Sequence, residues 1–507
     1  MPPPAIARYL GFGAAVLLAV VGWLGGALPD GNPASTPVSI ARGPYGPVIL
    51  GGWLVGTALM AYAWWAMRDR VPSGRWALVT AVLWALPFLV VPPFGSRDVY
   101  SYACQGYLYV HGLSPYDVGV DSLPCPWLDA VSPIWRDTAA PYGPLFVLTS
   151  AGVFRLAGES LVGVVLAFRL VALAGLAAVA LGLPVLARRC GVPTGRALWI
   201  ALAGPLVGAH LLAGPHNDAL MVGLVVAGLA VAALAPGRGW GVPPAAGALL
   251  GLAVAVKVTA IVVVPFAMLL VVSRPVRARR AVAAAGLVAA GAVVAMIGVT
   301  AASGLGFGWV GGLANTRDLV QFTSPPTAVG MTLTYLGRLV MDGFNAVPAL
   351  RLAGLVLLAG LLPVLWWRSA GLPAIPLPQW VRRIAGVSSG GEEGRKESDG
   401  FDPQAAALRG AALALTATVA LSPFFHPWYL MWPLVLLAAT VRRTTLLAAA
   451  VIAASLLVLP DGGGLARFAK FPGAPLMTAF LIVLLVRRLR NRGPEPASAS
   501  SEIVFRP

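Results

Sequence analysis

Charged residues are scarce in this chain of 507 residues. Only 11% of the residues are Asp, Glu, Lys or Arg, less than half the share of about 25% that is usual in soluble domains. Hydrophobic residues make up 58%, and the mean hydropathy is +0.81. So little charge does not cover the surface of a soluble protein of this size, which excludes the soluble classes.

Motifs for metals and nucleotides are also missing. The chain has three cysteines and four histidines, and it contains neither a paired-cysteine spacing nor a His-Glu-x-x-His sequence for zinc. Fingerprints for nucleotide phosphates and for dinucleotides are absent as well. We therefore expect no metal site and no cofactor.

Long apolar runs dominate the chain instead. Many of them reach the roughly 17–25 residues that a membrane-spanning helix needs, and they do not alternate apolar and polar residues as barrel strands do. The sequence therefore predicts an all-α, polytopic integral membrane protein with about fourteen transmembrane helices. The runs lie near residues 9–28, 46–66, 76–94, 160–187, 196–213, 218–235, 244–256, 259–272, 281–302, 350–367, 405–421, 429–441, 445–460 and 475–487.

The basic residues are grouped between these runs. The formal net charge is +17, but short basic clusters next to apolar runs are typical of cytoplasmic loops, so the excess does not indicate a nucleic-acid partner. This pattern predicts that both termini are cytoplasmic and that the segments 95–143, 214–218, 303–349, 422–429 and 461–475 face outward. The clusters are RDRVPSGR (68–75), RRCGVPTGR (188–196), SRPVRARR (273–280), VRR (441–443) and RRLRNR (487–492).

The same pattern predicts the domain organisation. Residues 1–492 are expected to form a single transmembrane catalytic domain, whose site lies in a large outer loop, 95–143, that contains short helices. The segment 368–404 is rich in Gly, Ser and charge, and we predict a disordered cytoplasmic loop there. The tail 493–507 is predicted to be disordered and cytoplasmic as well.

Lys257 lies in the middle of the apolar segment 244–272. A single long helix would bury its ammonium group in hydrocarbon at considerable cost, and it would move the basic cluster 273–280 to the outer side. Two short helices joined near Lys257 restore the alternation of cytoplasmic and outer loops, and they bring the ammonium to the outer interface. We predict the two short helices.

Two of the three cysteines lie in the large outer loop. Cys104 and Cys125 are separated by about twenty residues there, whereas Cys190 lies in a cytoplasmic loop. An oxidising exterior favours a disulfide between the first two, but two free, buried thiols suit the same positions. The sequence leaves both alternatives open.

The outer loop begins with GSRDVYSYACQGY, residues 95–107, where an apolar run ends. Ser96 is placed to cap a helix that runs to about His111 and is ended by Gly112. Asp98 would lie in the first turn, where the helix dipole favours an ionised carboxylate.

One face of this predicted helix is polar. Asp98, Tyr102, Gln105 and Tyr109 follow helical spacing and share that face. An ionised carboxylate among groups that hydrogen-bond hydroxyls suits a general base acting on an alcohol. The alternative is an ordinary first-turn Asp offset by Arg97.

Other outer segments carry groups that bind sugars and phosphates. Asp, Asn and His side chains hydrogen-bond to hydroxyls, aromatic rings stack on the C–H faces of sugars, and Lys and Arg pair with phosphate. Interfacial aromatic belts and helix caps are the structural alternatives for the same residues. Asp98 is the candidate catalytic residue, and the candidate substrate-binding residues are Arg97, Tyr100, Tyr102, Gln105, Tyr142, His216, Asn217, Asp218, Lys257, His426, Trp428 and Tyr429.

Several motifs occur together and in a fixed order: SRDVYSYACQG, HGLSPYD, Trp135 followed by APYGPL, GPHNDALM and HPWYLMW. With these motifs the chain, from about residue 10 to 490, resembles the actinobacterial polyprenol-phosphate-mannose-dependent α-1,6-mannosyltransferases of the GT-C class. The resemblance implies an inverting glycosyltransferase at the outer face of the cell membrane. Asp98 matches the aspartate that serves as catalytic base in that family.

The resemblance also implies the substrates. Mannose would move from polyprenyl-phosphate-mannose to a glycan or glycolipid acceptor, the α-1,6-mannan core of lipomannan and lipoarabinomannan, and the lipid bilayer is the third partner. Arg97 stands where some GT-C members have a second, adjacent acid, which weakens a metal-dependent mechanism. Three alternatives remain. One is a secondary transporter of a small polar solute, because transporters use interrupted helices like 244–272. The others are a GT-C enzyme for another lipid-linked sugar such as arabinose, and a non-catalytic scaffold for envelope assembly.

Overall fold

The structure is a computed structural model that describes residues 2–32, 36–272, 278–314, 320–372, 402–443 and 445–490. Most of the predicted cytoplasmic loop 368–404 and the whole of the predicted tail 493–507 lie outside the described residues. The described part contains α-helices, short 3₁₀ turns and one π-helical turn, and no β-strand.

Most α-helices follow one another with short connections, but long segments separate α5 from α6 and α15 from α16. In chain order they are α1 (Pro4–Gly25), α2 (Pro37–Arg42), α3 (Gly46–Met67), α4 (Gly74–Val90), α5 (Asp98–Val110), α6 (Pro144–Ala157), α7 (Leu161–Arg189), α8 (Thr194–Leu202), α9 (Asp218–Leu234), α10 (Val242–Val256), α11 (Val264–Leu270), α12 (Ala278–Ser303), α13 (Trp309–Ala314), α14 (Pro325–Gly337), α15 (Val347–Ser369), α16 (Pro403–Leu421), α17 (Met431–Thr440), α18 (Thr445–Ser455) and α19 (Lys470–Arg490).

Every predicted apolar run coincides with a helix. Among the described residues, seven helices are long and apolar enough to cross a membrane, and the bent pair of α8 and the π-helical turn Val207–Ala213 makes eight. The other predicted spans are apolar helices of 10–17 residues, such as α4, α9 and α10. The predicted class, an all-α polytopic membrane protein, is confirmed.

One apolar helix, α6, was not predicted as a separate element. It begins at Pro144, directly after the segment assigned to the outer loop, and it packs against α5 and α7. With 14 residues it is shorter than the roughly 17–25 residues of a spanning helix, so hydropathy alone does not distinguish it from the loop.

Glycines let the central helices approach closely. A Cβ atom at Gly247 or Gly251 of α10 would lie 2.0 Å and 2.2 Å from backbone oxygens of α12, so any larger residue would push the two helices apart. Small residues four positions apart are the usual means of close contact between membrane helices. The α10–α12 contact therefore depends on these two glycines.

The predicted break at Lys257 is confirmed. Helix α10 ends at Val256, Lys257 is extended with φ −152° and ψ 119°, and a 3₁₀ segment, Val258–Val263, leads into α11. A second break separates α8 from the π-helical turn Val207–Ala213, with a bend of 62°. Both breaks bring polar side chains to the same region, because His210, His216 and Lys257 lie in or next to them.

A buried arginine joins two helix ends near that region. Arg169 of α7 is 3% exposed, and its guanidinium donates hydrogen bonds to the backbone oxygens of Leu89 and Val91 at the end of α4. The same group donates to Leu212 and Ala213 at the end of the π-helical turn. These four carbonyls have no further helical partner, so the arginine fixes the chain just before residue 95 relative to the chain just before residue 216.

The structure pairs Cys104 with Cys125 as a disulfide. Cys104 lies in α5 and Cys125 lies in the loop that follows it, 21 residues further on. The bond therefore holds the irregular part of the segment 95–143 against α5.

Replacing both Cys104 and Cys125 by Ser is expected to lower the free energy of unfolding by about 3 kcal/mol, because the cross-link no longer restricts the unfolded chain. Thermal unfolding in detergent micelles measures this as a lower midpoint. Cys190→Ser is the control, because Cys190 is a free thiol, and we expect a much smaller change. Equal midpoints for the wild type and the double variant would contradict the prediction.

Candidate active site

Helix α5 presents Asp98 in its first turn, as predicted. Gly95 has φ +71°, a conformation that favours glycine, and the Ser96 hydroxyl accepts a hydrogen bond from the Asp98 backbone nitrogen at 3.1 Å. The helix ends at Val110, with Gly112 at φ +82° just beyond it. The observed bounds differ from the predicted ones by one or two residues.

The Asp98 carboxylate faces His216. Oδ2 of Asp98 lies 3.5 Å from Nε2 of His216, and the carboxylate side chain is 16% exposed. Burial raises the pKa of Asp98, but the nearby His216, His426 and Lys257 lower it by more, so the pKa lies below its ordinary value. The carboxylate is therefore ionised at neutral pH.

His216, Trp428 and His426 form a stack. The ring centroids of His216 and Trp428 are 3.9 Å apart, and those of Trp428 and His426 are 4.5 Å apart with an interplanar angle of 7°. Desolvation lowers the pKa of His426 to about 4, so this imidazole is neutral at neutral pH. The stack attaches the turn after Gly214 to the loop that precedes α17.

Lys257 forms a buried ion pair beside this stack. Its Nζ donates to Oδ1 of Asp218 at 2.9 Å, and the same oxygen accepts a hydrogen bond from the indole of Trp432. The ammonium also lies 4.6 Å from the ring centroid of Tyr429 and 5.0 Å from that of Trp432, which is cation–π range. The charge of Lys257 is thus neutralised within the protein.

Two tyrosines and a glutamine are further residues of the predicted site. The rings of Tyr102 and Tyr142 meet edge to face at 5.3 Å, and Lys257 lies 6.0 Å from the Tyr142 ring. Burial raises the pKa of both phenols well above the ordinary value, so they remain protonated. Gln105 is buried, and its amide nitrogen donates to the Ser101 hydroxyl at 3.3 Å.

The structure does not bring Tyr100 and Asn217 into contact with this cluster, although the sequence predicted both as substrate-binding residues. Tyr100 is fully buried and donates its hydroxyl to the backbone oxygen of Ala27, so it anchors α5 to the end of α1. Asn217 is 2% exposed, precedes α9, and makes no side-chain hydrogen bond within the described residues.

Arg97 is also buried, but it borders the cavity beside Asp98. Nη1 donates to the backbone oxygens of Leu28 and Ala130 at 3.1 Å and 3.2 Å. Nε and Nη2 have no hydrogen-bond partner within the described residues. Desolvation lowers the pKa of Arg97 below its ordinary value.

A cavity of about 120 Å³ opens beside Asp98. Its wall comes from several loops: Asp98 and Trp135 in the segment 95–143, Gln321 before α14, His426 before α17, and the glycines 462–464 after α18. The cavity is smaller than a typical pocket for a whole ligand, so it suits the reacting end of a larger substrate.

Two residues of the site region were missed by the sequence analysis. Trp432 lies one helical turn after Trp428 in HPWYLMW, and this spacing was the signal for it. Arg169 is the single charged residue inside the apolar run 160–187, and charges within membrane helices are usually retained for a purpose. Across the described residues, no group of three or more His, Cys, Asp or Glu side chains is arranged to hold a metal ion.

The fold and the site define a class. A multi-pass helical membrane protein presents an ionised carboxylate at a small cavity lined by aromatic, hydroxyl and amide side chains. A carboxylate beside a cavity with these side chains suits proton transfer from a hydroxyl group and contact with a sugar ring, which is the chemistry of membrane glycosyltransferases.

Comparison with known proteins gives the family. The family model described as "Alpha-(1->6)-mannopyranosyltransferase, N-terminal domain" matches residues 8–273, and the "MptB C-terminal domain" matches residues 399–487. The chain therefore belongs to the α-(1→6)-mannopyranosyltransferase family, which confirms the resemblance inferred from the motifs.

Named relatives agree with this assignment. The chain is 35% identical to α-(1→6)-mannopyranosyltransferase A of Mycobacterium tuberculosis, over 85% of this chain and 79% of that protein. It is 31% identical to a second M. tuberculosis α-(1→6)-mannopyranosyltransferase, over 99% of this chain and 90% of the relative. The A enzyme of Corynebacterium glutamicum is 31% identical over 59% of this chain and 64% of its own length. No solved structure matches the chain. These relatives favour the glycosyltransferase prediction over the transporter.

Proposed function

We propose that the protein transfers mannose from polyprenyl-phosphate-mannose to an α-1,6-mannan acceptor, with inversion at the anomeric carbon, at the outer face of the cell membrane. The observation that carries the proposal is the ionised Asp98 carboxylate on the wall of the cavity. The family names of the relatives support mannosyl transfer, and the lipid-linked donor follows from the motif resemblance.

Asp98 acts as the general base. The 6-hydroxyl of the acceptor gives its proton to the Asp98 carboxylate while its oxygen forms a bond to the anomeric carbon of mannose. The bond from that carbon to the phosphate oxygen breaks, and its electron pair leaves with polyprenyl phosphate. Because attack and departure occur on opposite faces of the sugar, a β-linked donor gives an α-linked product.

The leaving phosphate needs a positive partner. Lys257 was one candidate, but Asp218 neutralises its charge at 2.9 Å. Arg97 borders the same cavity as Asp98, two of its guanidinium nitrogens make no hydrogen bond within the described residues, and Asp461 is the acidic residue that interacts with its charge. We therefore propose that Arg97 binds the phosphate, because a guanidinium group matches the geometry of phosphate oxygens. The Lys257–Asp218 pair is then a structural ion pair at the base of the site.

The basic clusters support an outward-facing site. They alternate along the sequence with the segments that line the cavity, and basic segments between membrane helices are typically cytoplasmic. The donor would approach from the bilayer with its lipid tail between the helices, and the acceptor would approach from the aqueous side.

The proposal is tested by labelled-sugar transfer. Membranes that contain the protein are incubated with polyprenyl phosphate carrying radiolabelled mannose and with a short α-1,6-mannoside. We expect labelled mannoside that is extended by one α-linked residue. A polyprenyl-phosphate-arabinose donor run in parallel tests the alternative sugar, and transfer of arabinose alone would overturn the mannose assignment. Uptake of free solute into sealed vesicles without any acceptor would indicate a transporter.

Trp135 is expected to stack on the acceptor sugar, because its ring borders the cavity beside Asp98. Trp135→Ala should raise the acceptor KM by about tenfold, the equivalent of about 1.4 kcal/mol of aromatic contact, while the donor KM stays close to the wild-type value. Trp135→Phe should recover most of the loss.

Trp240→Ala is the matched control, since Trp240 is 57% exposed on the loop between α9 and α10. We expect it to leave both KM values unchanged. An unchanged acceptor KM in Trp135→Ala would contradict the stacking assignment and would leave the transfer reaction itself intact.

A further inference from the structure

We propose that His216 is the positioning residue of Asp98: its imidazole holds a proton against the carboxylate and fixes the orientation of the catalytic base. This inference deepens the proposed function and rests on it. The geometry that carries it is the 3.5 Å separation between Nε2 of His216 and Oδ2 of Asp98, with the imidazole side chain fully buried. His216 is not among the residues that line the cavity, so it acts through Asp98.

The hydrogen bonds of His216 determine where its protons lie. Nδ1 faces the backbone oxygen of His210, and the backbone nitrogen of His216 donates to the same oxygen. A carbonyl oxygen only accepts hydrogen bonds, so Nδ1 carries a proton. Nε2 therefore either bears the second proton of an imidazolium or is a bare acceptor.

The carboxylate opposite Nε2 decides between these two states. Two bare acceptors facing each other at 3.5 Å repel, so the Asp98–His216 pair contains one shared proton. In the proposed pair this proton lies on Nε2, so the carboxylate remains free to accept the proton of the acceptor hydroxyl.

Neighbouring elements hold the imidazole in this orientation. The stacked ring of Trp428 covers one face, and His210 in the π-helical turn provides the carbonyl. Other titratable or charged groups near the pair are the His210 ring at 5.9 Å between centroids, His426 beyond Trp428, and Lys257, whose charge is matched by Asp218. The phenols of Tyr102, Tyr142 and Tyr429 also interact with the Asp98 carboxylate. His210 is buried and His426 is half-buried at the cavity wall, and of the three histidines His216 is the one that faces the carboxylate directly.

Arg169 adds a second fixed point. Its four hydrogen bonds join the segment just before Asp98 to the segment just before His216. The two members of the pair lie 118 positions apart in the chain, but each follows a helix end that the same guanidinium holds. The distance between them is thus set by rigid elements and not by the loops alone.

Two substitutions of His216 separate its functions. His216→Asn places an amide nitrogen near the position of Nδ1 and keeps a donor for the His210 carbonyl, but it removes Nε2. His216→Gln reaches the position of Nε2 with a neutral donor. The measurement is the pH dependence of mannosyl transfer, read as kcat/KM for the acceptor.

Removing the positive partner raises the pKa of Asp98, so the carboxylate becomes protonated at a higher pH than in the wild type. We expect the acid limb of the profile of His216→Asn to move upward by about one to three pH units, with transfer near pH 5 falling about tenfold or more relative to transfer near pH 8. His216→Gln should show a smaller shift, because the hydrogen bond is kept without the charge. The acceptor KM near pH 8 should stay close to the wild-type value in both.

His111→Asn is the matched control. His111 also directs Nδ1 to a backbone carbonyl, that of Tyr107 at 2.8 Å, but it is exposed at the end of α5. We expect the wild-type profile from this variant. If His216→Asn does not fold, as judged by its unfolding midpoint, the acid limb of His216→Gln is the deciding readout.

An acid limb that stays at the wild-type position in a folded His216 variant would overturn the inference. Loss of activity by the same factor at every pH, in both variants, would also overturn it, because that result indicates a purely structural role. Absence of mannosyl transfer by the wild type would instead refute the proposed function, so the two failures are distinguishable.

Discussion

Asp98→Asn is expected to reduce mannosyl transfer by about 10²- to 10⁴-fold, which is the usual contribution of a general base. The amide keeps the shape of the carboxylate but does not accept the hydroxyl proton. The first turn of α5 tolerates Asn, and Ser96 still accepts a hydrogen bond from the backbone nitrogen of residue 98. The measurement is the initial rate of labelled-mannose transfer in membranes with matched amounts of protein.

The control for this substitution is Asp121→Asn. Asp121 lies in the same segment, 95–143, in the 3₁₀ turn Val120–Ser122, and it is exposed. We expect wild-type transfer from it. A rate within a factor of a few of the wild type in Asp98→Asn would exclude Asp98 as the base.

Lys257→Met is expected to destabilise the folded protein by about 3–5 kcal/mol, because it leaves the buried Asp218 carboxylate without its cation. Asp218 is fully buried, and its remaining interaction is the hydrogen bond from Trp432. The unfolding midpoint in detergent should therefore fall by several degrees. Transfer should fall as well, because the Lys257–Asp218 pair lies under the same aromatic side chains that border the site.

A double variant separates the charge from the packing. Lys257→Met combined with Asp218→Asn removes both charges, and replacing a whole buried pair is often close to neutral for stability. We expect the midpoint of the double variant to lie above that of Lys257→Met alone. Lys470→Met is the control, since Lys470 is exposed at the start of α19. A double variant less stable than the single one would contradict a dominant role for the unpaired charge.

The helices were predictable because hydropathy is a local property. Each of the apolar runs contains a helix, and the break at Lys257 followed from the cost of burying an ammonium group in hydrocarbon. The start of α5 was predictable too, because Ser96 and Gly112 have strong local preferences. Helix α6 was missed, since its 14 residues are fewer than a spanning helix needs and its first residue is a proline, which is also common in loops.

The partners within the site were not predictable, because they come from distant parts of the chain. Asp218 and Lys257 are 39 residues apart, and Trp432 bonds to Asp218 across 214 residues. Tyr100 is a different case: it lies two residues after Asp98, about 200° around the helix, so helical spacing alone already directs it away from the carboxylate. Its contact with Ala27 confirms that direction.

A single-turnover experiment tests the base role of Asp98 most directly. Purified wild type and Asp98→Asn are loaded with polyprenyl phosphate carrying radiolabelled mannose and are then mixed with an α-1,6-mannobioside. We expect both proteins to retain bound donor, and the wild type alone to form labelled trisaccharide within the first turnover. Labelled trisaccharide formed by donor-loaded Asp98→Asn at the wild-type rate would contradict the account.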